Sequence, residues 1–182
     1  MMNGRRGAAL VFFAAAMGLS GCSLPADPQS MAVITQSFDR PFPPVFSRAM
    51  CVRAVDGGEE TNPLWLSKVG NDAFRSALEI SLDRAGLRAT SSCSYPIDVH
   101  LLGLSQPIIG VDLTVTSHVR YEVYASGVQP FLSQTTDALF TATLADHGNG
   151  DERLRLANEG SIRRSILAFF DKLRDADPPR PR

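Results

Sequence analysis

Apolar and polar positions alternate with a period of two in four stretches of the chain and recur at helical spacing in two others. The clearest alternation runs from Leu113 to Tyr124, with Leu113, Val115, Val119, Tyr121 and Val123 on one face. Thr114, Thr116, His118, Arg120 and Glu122 fall on the other, as in a strand with one side buried. Tyr95 to Leu104 alternates through Ile97, Val99 and Leu101, and Val45 to Val55 places Met50, Val52 and Ala54 together. Phe131 to Leu144 is a threonine-rich fourth strand. Val69, Ala73, Phe74, Ala77, Leu78 and Leu82 instead mark an amphipathic helix, with Gly86 placed for a left-handed C-terminal cap. Asn62-Pro63 reads as its N-cap and first turn. Leu154, Ile162, Ile166, Phe169 and Leu173 form the stripe of a final helix, which Asn158 interrupts. A buried asparagine there needs hydrogen-bond partners.

Glycines and polar residues punctuate these segments at Asp56–Glu60, Gln106–Gly110, Ser126-Gly127 and Asp146–Asp151. The order strand, helix, three strands, helix predicts an α+β fold. It is a two-layer sandwich in which a four-stranded mixed or antiparallel sheet carries two helices on one face. The other face, lined by threonines and charges, stays wet.

Ahead of this domain, Arg5 and Arg6 precede an apolar run from Gly7 to Leu19, and small residues then lead to a cysteine. That is the layout of an export signal. Leu19-Ser20-Gly21-Cys22 resembles the lipobox of bacterial lipoproteins. The resemblance implies cleavage between Gly21 and Cys22 and a diacylglycerol thioether, with further acylation such as palmitate, on Cys22. Two or more acyl chains hold a protein stably on a bilayer, where one does not. The rival readings are a secretory signal with an incidental cysteine and a retained membrane helix. The apolar run falls short of the ~20 residues that spanning requires.

The expected organisation is a signal peptide over 1–21, then a lipidated cysteine and tether over 22–44. A single periplasmic domain over 45–175 and a disordered tail over 176–182 complete it. Five prolines (Pro25, Pro28, Pro41, Pro43, Pro44) define the tether. As a flexible coil it would reach ~25 Å.

Charge then narrows the partners. The 18 basic and 19 acidic residues become 16 and 19 once the two leader arginines are removed, a net charge of −3. Such a domain has no electrostatic reason to bind nucleic acid. With Cys22 committed to lipid, Cys51 and Cys93 remain, and their spacing matches no zinc or redox motif. Either they form a disulfide, worth ~3–4 kcal/mol for a loop of about forty residues, or they are two buried thiols on neighbouring strands.

Candidate chemistry is sparse. Gly57-Gly58 is followed by Glu59 and Glu60 rather than a lysine, so it turns the chain and cradles no phosphate. A hairpin between the second and third of these strands, centred near Ile109, would set His100 opposite His118. Two imidazoles still fall short of the three protein ligands a zinc site wants. No serine lies in a nucleophile-elbow context. Neither catalytic residue nor metal nor cofactor is expected. Ile108 and Ile109 at the hairpin tip and Trp65 beside two leucines are candidate partner contacts. Arg153, Arg155, Arg163, Arg164 and Lys172 read as a solvated helix face.

The lipobox, the proline-rich spacer and the element order together resemble small lipoproteins of Gram-negative envelopes. Closest in architecture are the auxiliary lipoproteins of envelope transport systems and LptE, the lipopolysaccharide-assembly lipoprotein. Residues Arg153 to Gly160 also look like the helix start of an uncharacterised proteobacterial lipoprotein family. The resemblance implies an outer-membrane, periplasm-facing location, with the inner membrane as the alternative. It implies a non-enzymatic accessory subunit docking on an envelope transport or outer-membrane biogenesis complex. The alternative is a lipid- or glycan-binding module that uses the polar sheet face.

Overall fold

The computed structural model describes residues 24–34, 40–61, 67–107, 109–125 and 127–179. Four strands form one open sheet in the order β1-β2-β3-β4. They are β1 (Met50–Asp56), β2 (Tyr95–Ser105), β3 (Leu113–Val123) and β4 (Leu132–Ala142). The first two are parallel and the others antiparallel, so the sheet is mixed. A short helix α1 (Pro28–Met31) precedes the sheet, α2 (Asn71–Arg84) connects β1 to β2, and α3 (Gly150–Arg174) ends the domain. The fold is the expected two-layer α+β sandwich, with α1 added to the helical layer.

Alternation decides which face is covered. Along β3 every odd residue from Leu113 to Val123 is buried and the even ones reach solvent to varying degrees. The buried side chains meet α2 over β1 and α3 over β3 and β4. At 25 residues and ~1.5 Å each, α3 is long enough to run the length of the strands it covers. Asn149 caps it, accepting from the Asp151 N–H at 2.8 Å, with acids in the first turn and Lys172 and Arg174 in the last, as the helix dipole favours. Gly86 ends α2 at φ +70°, the left-handed cap read from sequence.

The structure departs from the pattern where bulges intervene. A bulge between Val52 and Ala54 breaks the alternation of β1, so Val55 rather than Ala54 joins Met50 and Val52 against the core. A second bulge, between Leu101 and Gly103, and a loop centred nearer Gly110 shift the β2–β3 register. His100 therefore pairs with Arg120, and His118 faces Gly103. The two histidines do not oppose each other. Helix α2 begins at Asn71, with Gly70 as its N-cap. The cap expected at Asn62-Pro63 lies outside the described residues.

The tether expectation also changes. From Leu24 to Ile34 the chain packs onto the helical layer, burying Ala26, Met31, Ala32 and Val33. Asp27 caps α1 through the N–H groups of Gln29 and Ser30. Ser81 Oγ accepts from the Val33 N–H at 3.0 Å, and Arg84 and Arg163 donate to the carbonyls of Val33 and Ser30. Proline there starts a helix rather than stiffening a linker. At the other terminus Ala176 packs on the core and Pro179 O accepts from Tyr95 Oη at 2.9 Å, so residues 176–179 lie on the domain.

Candidate functional site

Two features of the domain stand out: a buried polar clasp under the β2–β3 loop, and the uncovered face of the sheet.

The clasp is built around the Ser67 carbonyl. Asn158, in the apolar stripe of α3 and fully buried, donates to it through Nδ2 at 2.9 Å. Gln106, the first residue beyond β2, donates to the same oxygen at 2.9 Å and to Asn158 Oδ1 at 2.7 Å. The Ser67 hydroxyl in turn donates to the Leu24 carbonyl at 3.1 Å. Four separate segments thus meet through one residue. Each polar group is matched, which a buried network requires.

Next to Asn158 on α3, Glu159 is 2% exposed. Its Oε1 accepts from the Asp27 N–H at 2.9 Å and from Arg155 at 2.6 Å. Burial nevertheless dominates and pushes its carboxyl above the usual range. Asp27 shifts the other way, because Ser30 donates to its carboxylate. Arg155 also grips Glu152 at 2.8 Å. Arg153 is buried, donating to the carbonyls of His147 and Gly148 at 2.8 Å each. Neither arginine belongs to the solvated face expected for them.

A polar seam continues along α3 toward the sheet. Ser165 Oγ lies 2.8 Å from Tyr121 Oη and 2.6 Å from Thr136 Oγ1, and all three residues are buried. Desolvation raises the Tyr121 phenol far above its ordinary value, so it stays neutral. Beside the seam Gly160 lets α3 approach β4. A Cβ there would lie 2.3 Å from Cγ of Phe140.

The uncovered face carries charge in pairs. Arg53 makes a bidentate bond to Asp98, at 2.8 and 2.5 Å, with its guanidinium 4.2 Å above the Tyr124 ring. The bond to Arg53 holds the Asp98 carboxyl below its ordinary range. His100 Nδ1 is 2.9 Å from Asp56, and His118 Nδ1 is 2.6 Å from Asp137, with Ser105 at 3.1 Å from its Nε2. Arg120 is exposed and has no ion pair with the described residues. Leu102 on β2 and Leu139 on β4 are exposed large apolar side chains of this face. Each histidine has its own carboxylate partner, so the pair converges on no common point. No group of three or more His, Cys, Asp or Glu among the described residues is placed to hold a metal ion.

The remaining sequence-derived candidates fall as follows. Cys51 and Cys93 are joined in a disulfide. Ile109 is 91% exposed at the β2–β3 tip. Gly21, Cys22, Trp65 and Ile108 lie outside the described residues. Among those residues no helix is long and apolar enough to cross a membrane. Gln106, Ser67 and Glu159 were not singled out by sequence. Only Asp27-Pro28, a cap residue before a proline, held a signal for the N-terminal contact.

No protein-family model matches the sequence, and no curated protein matches it. Solved structures do. XCC0632 from Xanthomonas campestris, a DUF330 protein, superposes with a TM-score of 0.50 at 9% identity, over 74% of this chain and 90% of that one. A minor lipoprotein from Acinetobacter baumannii gives 0.48 at 11% identity, over 76% and 100%. A Caulobacter crescentus CB15 protein, named as a candidate lipoprotein, gives 0.48 at 14% identity, over 72% and 93%. The likeness to the Xanthomonas protein is one of fold.

Proposed function

We propose that this is a lipid-anchored, non-enzymatic protein of the bacterial envelope that presents its uncovered sheet face to a protein partner in a transport or outer-membrane biogenesis complex. The lipobox-like Leu19-Ser20-Gly21-Cys22 supports the anchor, and the outer membrane is the proposed destination. The Cys51–Cys93 disulfide suits an oxidising compartment. The observation that carries the partner reading is the composition of the open face. Leu102 and Leu139 stand exposed among paired charges, the apolar-within-polar arrangement of a transient protein interface. Catalysis has less support, because His100 and His118 are each held by a separate carboxylate and Arg53 by Asp98.

A photo-cross-linking residue at Leu139 of the full-length protein, in cells, tests this. A discrete adduct with one envelope protein, weakened by Leu102→Asp while the fold persists, is the expected result. Absence of any adduct, with a thermal shift produced by lipid or glycan instead, would move the function to the ligand-binding alternative. Hydrolytic or transfer activity lost on His100→Ala or His118→Ala would overturn the non-enzymatic reading.

A further inference from the structure

The first described residue, Leu24, is fixed to the domain. Its carbonyl accepts from Ser67, Asp27 next to Ala26 is bonded through its N–H to Glu159, and Ala26 and Met31 are buried. Cys22 precedes Leu24 by only two residues. Two residues span at most about 7 Å. A lipid on Cys22 therefore enters the bilayer beside Leu24, and no 22-residue tether lets the domain turn freely.

What surrounds Leu24 follows from the clasp. Ser67 joins it to Gln106, which opens the β2–β3 loop. That loop carries Ile109, 91% exposed, and Val111, 63% exposed. Leu144 is exposed at the same end, since Ala142 of β4 pairs with Leu113 at the start of β3. Leu24 itself is 52% exposed. From Gln106 to Asp112 there is one acid and no base. Contact made by this loop rests on apolar burial rather than on attraction to anionic headgroups. Val128 is a natural comparison. It is as exposed as Ile109 but follows the opposite end of β3, whose eleven residues put the ends about 35 Å apart.

We propose that the Leu24–Ile109 end of the domain rests on the lipid surface, with Ile109 and Val111 in the boundary between headgroups and acyl chains. The inference rests on lipidation of Cys22. It leaves the sheet face standing across the membrane plane and free to meet a partner.

The test uses full-length, lipidated protein in phosphatidylethanolamine–phosphatidylglycerol vesicles containing a doxyl-labelled phospholipid. Ile109→Cys and Val128→Cys are each labelled with an environment-sensitive fluorophore. The disulfide protects Cys51 and Cys93, and the thioether protects Cys22. Both proteins float with the vesicles, and the label at 109 is quenched several-fold more strongly than that at 128. Flotation with equal quenching at the two positions, or none at 109, would overturn the orientation and leave the anchor intact. Failure to float, with unmodified Cys22 by mass spectrometry, would overturn the anchor and the orientation with it.

Discussion

Asn158 donates to the carbonyl of Ser67 at 2.9 Å from within the apolar stripe of α3, and through that bond the helix holds the loop ahead of α2 and the N-terminal segment together. The bond is fully buried on the asparagine side. Its energetic weight lies less in the bond itself than in what its loss leaves unpaired.

Asn158→Ala should therefore destabilise the domain by about 1–3 kcal/mol, the cost of leaving buried polar groups unmatched. Gln106 would still serve the Ser67 carbonyl but lose its acceptor on residue 158. Urea melts of the wild type and the variant measure this. An unchanged midpoint would show that the clasp is energetically idle.

Gly160→Ala adds a methyl where Phe140 leaves no room, its ring atoms Cγ, Cδ1 and Cδ2 all lying within 2.6 Å of the added carbon. Overpacking of this kind costs about 1–3 kcal/mol. Phe140→Ala in the same chain should recover part of that loss, so the two substitutions should be non-additive in a double-mutant cycle. Strict additivity would mean that α3 shifts away from β4 at little cost.

The Cys51–Cys93 bridge closes a sequence separation of 42 residues. In the chain-entropy model a loop of that length contributes about 4 kcal/mol. A Cys51→Ser, Cys93→Ser variant should unfold at lower urea with its far-UV spectrum retained. Equal midpoints for the oxidised wild type and the variant would refute the contribution.

Glu159 sets a pH dependence with a definite sign. Its carboxyl titrates above the usual 4.5 in the folded protein because burial disfavours the charge. The stabilisation it gives is complete below the unfolded value. It is lost as pH rises through the raised folded value. Relative to Glu159→Gln, the wild type should lose stability across that window, from just below 4.5 upward. Denaturant melts of both proteins at several pH values isolate the difference, since every other titrating group is common to the two. A difference that stays flat, or grows in favour of the wild type, would show that Arg155 and the Asp27 N–H outweigh burial.

Much of this protein was decided locally and could be read from its sequence. Period-two alternation in β3 and the stripe of α3 follow from side chains that must reach one core, so Leu113 to Val123 and Leu154 to Leu173 lie where their spacing puts them. Gly86 was legible for the same reason, since only the local backbone calls for it. The need of Asn158 for partners could be stated, but the partners could not, because Ser67 is 91 residues away. Tertiary packing alone decided the rest. A bulge at Leu102 and a loop centred nearer Gly110 moved His100 off His118, and a single extra residue in a strand leaves no mark in composition. The N-terminal stretch reads as linker because its apolar residues have no period. It became part of the domain because α2 and α3 offer Met31, Ala32 and Val33 a surface to bury and Glu159, Ser81 and Arg163 complete the polar groups around them. Burial against distant elements is a property of the assembled chain, and it turned a presumed tether into the contact that holds Leu24 beside the β2–β3 loop.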